Sequence, residues 1–105
     1  MRPLENASIR DPARRLIRDK LGIPSLLLQL KHDAGWPDVV FLVPGGRPLL
    51  IEFKRPGYEL EPLQAERRST LLKLGYDVEG PVSSVEEAWG LVCLRLVPDR
   101  LKAVK

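Results

Sequence analysis

Two acidic residues and a lysine lie beside or inside two short apolar segments near the middle of the sequence. Asp38 directly precedes the apolar segment 39–43, and Glu52 lies within the second apolar segment, 48–54. A carboxylate among apolar residues is costly to bury unless it has a partner. Lys54 follows Glu52 by two residues, and residues two apart share one face of a strand. We therefore predict a single site that contains Asp38, Glu52 and Lys54.

The turn between the two segments determines how these residues face one another. Both segments are rich in β-branched, aromatic and other apolar residues, which predicts two strands, and the sequence Pro-Gly-Gly-Arg between them predicts a turn. Asp38 and Glu52 are equally distant in sequence from Gly45, so an antiparallel hairpin centred on Gly45 places them opposite each other. Two facing carboxylates are unfavourable unless a cation lies between them.

A divalent metal ion would relieve this repulsion. Oxygen ligands on a hard cation favour Mg²⁺ or Mn²⁺, and the backbone carbonyl of Phe53 is a candidate further ligand. A metal held in this way polarises a phosphate and lowers the pKa of a bound water, while Lys54 can orient that water or stabilise developing charge. The alternative interpretation is a charged edge strand with a Glu-Lys pair. The Pro37-Asp38 motif, at the hairpin spacing from Glu52, favours the metal site.

Four short motifs resemble the virus-type replication-repair nuclease (VRR-NUC) family of the PD-(D/E)XK nuclease superfamily. That family has a G-x-PD, an E-x-K and an S-P-x-Q that leads a helix, and the resemblance covers roughly residues 31–88. One departure is Glu61, which stands where the family often has serine. The motifs in this sequence are Gly35-Trp36-Pro37-Asp38, Ile51-Glu52-Phe53-Lys54, LEPLQ at 60–64 and LKLG at 72–75.

The resemblance implies roles for particular residues. Asp38 and Glu52 would be metal ligands, Lys54 the catalytic lysine, and Gln64, one turn into its helix, a further residue of the site. The alternative for Gln64 is an exposed helix glutamine. The family also has a glutamate on its first helix near the metal. Glu5 is the best candidate here, although Asp11-Pro12 interrupts that region.

The resemblance further implies a metal-dependent DNA endonuclease. Stand-alone members of about this length resemble Holliday-junction resolvases, which cut two strands and need two active sites, so we expect a homodimer acting on a four-way junction. Two alternatives stay open: a flap-cutting or general nuclease, and a non-catalytic DNA-binding module on a nuclease fold. Residues expected at the dimer interface or, equally, in the core are Leu26–Leu28, Trp89, Leu94 and Leu96.

Basic residues are clustered, although the net charge of +3 is only mildly basic and favours a nucleic-acid partner weakly. The alternative for these clusters is a solvated helix face. The side chains predicted to contact DNA are Arg14, Arg15, Lys31, Arg55, Arg67 and Arg68.

Periodicity and turn residues predict an α/β fold with a mixed β-sheet flanked by α-helices. The resemblance to the VRR-NUC family implies that this is a restriction-endonuclease-like PD-(D/E)XK core. Asp11 is predicted as the N-cap of the first helix, and Ser84 with Glu87 as the capping box of the last. The predicted elements are a helix from Pro12 to Leu21, strands at 25–31, 39–43 and 48–54, a helix from Pro62 to Leu74, a strand within 76–82 and a helix from Val85 to about Leu96.

The whole chain, residues 1–105, is expected to form one domain with one modest core. No apolar run approaches the roughly 20 residues that span a membrane, and no signal sequence is evident, so we expect a cytoplasmic protein. The resemblance implies that the cell is bacterial or phage-infected. The single cysteine, Cys93, excludes an internal disulfide and a multi-cysteine zinc site.

Overall fold

The computed structural model describes the backbone of residues 2–29 and 33–96, and the side chains of these residues from residue 6 onward. Within these residues, three helices and four strands follow one another in the predicted order. Within the described residues, no helix is both long enough and apolar enough to cross a membrane. The elements are α1 (Arg2–Leu21), β1 (Ser25–Leu27), β2 (Val39–Val43), β3 (Arg47–Phe53), α2 (Pro62–Lys73), β4 (Asp77–Val82) and α3 (Val85–Leu94).

The four strands form one mixed sheet in the order β1-β2-β3-β4. β1, β2 and β3 are antiparallel neighbours, whereas β4 is parallel to β3 and is reached through α2. In the β2–β3 hairpin Val39 pairs with Ile51 and Val43 pairs with Arg47, so the hairpin is centred on Gly45 as predicted. The predicted α/β class, with a mixed sheet flanked by helices, is confirmed.

The core lies between the sheet and the pair of helices α1 and α3, which pack against each other. Every second residue of β2 is buried, as expected for a strand with one face on the core, and β3 is buried along its second half. The fully buried side chains come from both helices and the central strands, and include Ala13, Ile17, Phe41, Leu49, Ile51, Phe53, Ala88 and Val92.

The first helix is longer than predicted, and the assignment of Asp11 as its N-cap is wrong. α1 begins at Arg2 and continues through Pro12, although proline has no N–H to donate to the carbonyl four residues earlier. Ile9, Ala13 and Ile17 are spaced by four residues and form one apolar stripe against the core. Packing of this stripe on both sides of Pro12 outweighs the local helix-breaking signal.

Three further predictions need adjustment. β1 ends at Leu27 rather than continuing to residue 31, and residues 30–31 lie outside the described part. α2 ends at Lys73, one residue before the predicted end, and Leu71 is its buried residue. At α3, Ser84 Oγ accepts a hydrogen bond from Glu87 N at 3.0 Å, but Glu87 Oε1 accepts from Ser83 N at 3.1 Å, so the reciprocal bond reaches one residue too early for a capping box.

Candidate active site

Asp38 and Glu52 lie side by side at one end of the hairpin, one step beyond the Val39–Ile51 pair. Asp38 Oδ1 accepts a hydrogen bond from the backbone N–H of Phe53 at 3.3 Å, which holds the carboxylate of the aspartate against β3. The side chain of Glu52 belongs to the protein interior, because the residue is only 7% exposed. The hairpin therefore brings two carboxylates together where solvent is largely excluded.

The Glu52 carboxyl has one satisfied and one unsatisfied oxygen. Oε2 accepts a hydrogen bond from Gln64 Nε2 at 2.9 Å, whereas Oε1 is buried and has no hydrogen-bond partner among the described residues. Burial raises the pKa of Glu52 to about 8, and the negative charge of Asp38 adds to this effect. An orphaned, buried carboxylate oxygen is costly, so this site is suited to a ligand that supplies positive charge.

The pKa of Asp38 is also raised, to about 6, chiefly because burial disfavours its ionised form. The hydrogen bond from Phe53 and the positive charges of Arg10 and Lys54 act in the opposite direction. Lys54 is half-buried and its charge lowers the pKa of Glu52 as well. The lysine predicted from the Glu-x-Lys spacing is thus within electrostatic range of both carboxylates.

Gln64 connects the site to the start of α2. Its Oε1 accepts a hydrogen bond from the backbone N–H of Glu61, the N-cap residue, at 2.9 Å, while its Nε2 donates to Glu52. One side chain thereby satisfies a backbone donor at the helix terminus and fixes the orientation of a carboxylate. The negative charge of Glu61 raises the pKa of Glu52 further.

Strand β4 packs against Glu52, a contact that was not predicted from the sequence. Ile51 pairs with Glu79 but Phe53 pairs with Val82, so β4 carries one extra residue opposite Glu52. Gly80 lies in this bulge, and a Cβ added there would be 2.9 Å from Glu52 Cβ. A glycine inside a strand segment commonly marks a bulge or a close backbone approach, and the Gly80-Pro81 pair carried that signal.

The donor set fits a hard divalent cation. Two carboxylates face one another, and one of their oxygens lacks a hydrogen-bond partner among the residues that the structure describes. A cation would favour the ionised form of both groups. Within residues 6–29 and 33–96, no group of three or more His, Cys, Asp or Glu side chains could hold a metal. The site therefore needs further oxygen donors, for which the Phe53 carbonyl and water are candidates. Glu5 belongs to α1, but its side chain is outside the described part.

Arg67 and Arg68, the two arginines of α2 that are predicted to bind DNA, have different surroundings. Arg67 stacks over the ring of Trp36 at 4.7 Å, and its guanidinium donates to Ala34 O at 3.4 Å and to Asp33 Oδ1 at 3.5 Å. Arg67 thus contacts the loop that leads into Asp38. Arg68 is half-buried, and its Nε has no hydrogen-bond partner among the described residues.

Three other predicted DNA contacts belong to the described residues, Arg14 and Arg15 on α1 and Arg55 just after β3. Arg55 stacks over the ring of Tyr58 at 4.4 Å and donates a hydrogen bond to the Tyr58 hydroxyl. Arg14 and Arg15 are both on α1, where Arg14 is half-buried and Arg15 is exposed. Lys31 lies outside the described residues.

Two solved structures share this fold. No family model matches the sequence, and no curated protein matches it significantly. One structure, a "VRR_NUC domain", has a TM-score of 0.72 and 21% identity over 84% of this chain and 94% of its own. Another, a "VRR_NUC domain protein", has a TM-score of 0.73 and 17% identity over 88% of each chain. The chain has the fold of a VRR-NUC domain, which confirms at the level of fold the resemblance inferred from the motifs.

Proposed function

We propose that this chain is a divalent-metal-dependent endonuclease that hydrolyses phosphodiester bonds of DNA. The observation that carries the proposal is the buried Glu52 carboxyl, which has Asp38 beside it and one oxygen without a hydrogen-bond partner in the described part of the chain. Such a pair is stable at neutral pH only if it is protonated or bound to a cation. The fold shared with VRR_NUC domains supports phosphodiester hydrolysis as the chemistry served by that cation.

Each residue of the site has a distinct proposed task. Asp38 and Glu52 would hold Mg²⁺ or Mn²⁺, with the backbone carbonyl of Phe53 as a further donor. The bound metal would polarise the phosphate and lower the pKa of water. Lys54 would orient that water or stabilise the charge that develops on the phosphate. Gln64 donates a hydrogen bond to Oε2 of Glu52 and so would leave the other oxygen, Oε1, available to the ion.

The test is a cleavage assay on junction, flap, splayed-arm and duplex DNAs with Mg²⁺, Mn²⁺ or Ca²⁺. Wild-type protein should cut with Mg²⁺ or Mn²⁺ and bind without efficient cutting in Ca²⁺, whose loose coordination suits positioning more than activation. Asp38→Asn and Glu52→Gln should each abolish cleavage and weaken Mn²⁺ binding measured by calorimetry. Lys73→Gln, an exposed change in the last turn of α2, is the control. Cleavage by either carboxylate variant at the wild-type rate would contradict the proposed metal site.

Within this function we propose a homodimer that resolves four-way junctions. Paired cuts need two active sites, and a chain of this size supplies one. Large apolar side chains remain on its surface: Leu26, on the edge strand β1, is 53% exposed, and Leu94, at the end of α3, is 65% exposed. A second copy of the chain that covers either leucine would bury apolar surface, which favours association.

Sedimentation at micromolar concentration and cleavage of a supercoiled cruciform plasmid test this finer proposal. A dimer making paired cuts produces linear DNA, whereas independent cuts accumulate nicked circles. A monomer that only nicks would remove the resolvase and leave the flap-cutting or general nuclease. Binding without cleavage under every metal would leave the DNA-binding module, which the presence of Asp38, Glu52 and Lys54 argues against.

A further inference from the structure

A cleft of about 430 Å³ lies between the middle of α1 and the start of β1. Four arginines of α1 and one aspartate line it, together with residues of the segment that leads into β1. Positive charge therefore dominates this concave surface, and most of the charge comes from one helix. The lining residues used below are Arg10, Arg14, Arg15, Arg18, Asp11 and Ser25.

The arginines are arranged in a row. Arg10, Arg14 and Arg18 follow one another at intervals of four residues, so they share one face of α1 at steps of about 6 Å along the helix axis. Convergent side chains would suit a single small anion. A row of guanidinium groups suits a chain of regularly spaced negative charges, such as successive phosphates of a nucleic-acid strand.

One arginine of the row is already held in place. Arg14 Nε donates to Ser25 Oγ at 2.7 Å and Arg14 Nη2 donates to Ser25 O at 3.1 Å. Both bonds join α1 to the first residue of β1. An arginine carries five N–H donors, so three remain after these bonds. The guanidinium is thus fixed by the fold before any ligand arrives, which lowers the ordering cost of binding an anion.

The arginines of the cleft form weak ion pairs with acidic side chains or none. Arg10 contacts Asp11 at 3.0 Å and Arg18 contacts Asp19 at 2.9 Å, both between sequence neighbours. Both side chains of the Arg18–Asp19 pair are exposed, and an exposed pair contributes little and is readily exchanged for a phosphate. Among the described residues, Arg14 and Arg15 form no ion pair with an acidic side chain.

Two residues link the surroundings of the cleft to the carboxylate site. Leu27 lines the cleft, and the next residue, Leu28, donates its backbone N–H to the carbonyl oxygen of Asp38 at 2.8 Å. Arg10 also belongs to both places, because it lines the cleft and its charge acts on Asp38. A strand whose phosphodiester lies at Asp38 would therefore have its neighbouring phosphates beside α1.

We propose that the cleft between α1 and β1 is a phosphate-binding subsite that holds the sugar-phosphate backbone of the DNA strand on one side of the cleaved bond. This inference rests on the proposed function, since it takes that bond to lie at Asp38 and Glu52. It assigns binding to Arg10 and Arg18 in addition to Arg14 and Arg15. It also gives Arg14 a second task, the attachment of β1 to α1.

The test measures binding of a fluorescein-labelled DNA duplex by anisotropy over a range of salt concentrations, with Ca²⁺ present to suppress cleavage. The variant Arg15→Gln/Arg18→Gln changes two exposed side chains and leaves the Arg14–Ser25 bonds intact. Lys73→Gln, which removes one positive charge outside the cleft, is the control for a general loss of charge. The double variant should bind more weakly and flatten the slope of log K against log salt by about 0.9 per lost phosphate contact.

A variant that removes a negative charge should strengthen binding, and a folding defect would not produce that result. Asp19→Asn removes the acid that competes for Arg18 and should tighten binding and steepen the salt slope. If the double variant keeps the wild-type slope, or Asp19→Asn leaves affinity unchanged, the subsite is disproved even when the wild-type protein cuts DNA. If both variants behave as expected but the wild-type protein never cleaves, the subsite stands and the proposed nuclease function fails.

Discussion

Replacing Glu52 with glutamine should stabilise the metal-free protein at alkaline pH. Glutamine has nearly the same shape as the protonated glutamate, and its side-chain oxygen can accept the hydrogen bond from Gln64 Nε2. The substitution removes the charge that burial and the neighbouring Asp38 oppose. A gain in stability on removal of a charged residue from its site would identify Glu52 as a residue kept for binding rather than for folding.

The expected size follows from the pKa of Glu52, which rises from 4.5 to about 8 on folding. The raised pKa means that the folded form holds its proton more tightly than the unfolded chain. The contribution of Glu52 to the free energy of unfolding is fully present below pH 4.5 and is lost as the pH rises toward 8. One pKa unit corresponds to about 1.4 kcal/mol, so the loss approaches about 5 kcal/mol above pH 8. Glu52→Gln should recover much of it.

Urea unfolding in EDTA, from pH 4.5 to pH 9, measures this difference. The variant and the wild type should be alike at the acid end and diverge as the pH rises, with Glu52→Gln the more stable. In EDTA-free buffer, free Mn²⁺ at about 100 times its dissociation constant should stabilise the wild type by about 2.7 kcal/mol and leave the variant unchanged. A variant less stable than wild type at pH 9 in EDTA would refute the reasoning, because Glu52 would then act as an ionised structural partner.

Three further substitutions probe the support of the site. Gly80→Ala should destabilise the protein by about 1–3 kcal/mol in urea, because the added Cβ meets Glu52. The control Gly90→Ala, with open space around it in α3, should be neutral or stabilising. Equal effects of the two substitutions would contradict the close approach of Gly80 to Glu52. Lys54→Ala should slow cleavage by about 10²–10³-fold without changing Mn²⁺ affinity, and a matching loss of affinity would make its role structural. Arg67→Met should slow cleavage about tenfold by loosening the loop before β2, whereas an unchanged rate with a flatter salt slope would make Arg67 a phosphate contact.

The hairpin and the pairing of its ends could be predicted because both depend on local features of the sequence. Glycines at the turn accept positive φ, with values of 90° for Gly45 and 69° for Gly46, and the alternation of side chains then fixes which residues face each other. The position of Asp38 opposite Glu52 was predicted in this way. Gln64 came from the resemblance of its motif, and its hydrogen bond to Glu52 agrees with that position.

The features that could not be predicted depend on contacts between distant segments. The passage of α1 through Pro12 relies on the burial of Ala13 and Ile17, which no local signal reveals. The bulge in β4 is visible only once β4 pairs in parallel with β3, since its effect is to bring Gly80 against Glu52. The engagement of Arg67 with Trp36 likewise joins α2 to a loop far away in the sequence.

The chain order of the site has a consequence for folding. Asp38, Glu52 and Gln64 come from one continuous segment, so a hairpin closure and one helix assemble them through short loops, and such closures are fast. The parallel strand β4, which carries Gly80, can join only after α2 has crossed over the sheet. Glu52 therefore loses much of its water late, when β4 docks. In metal-free protein at high pH, β4 should be the first strand to open, with faster amide hydrogen exchange there than in β2.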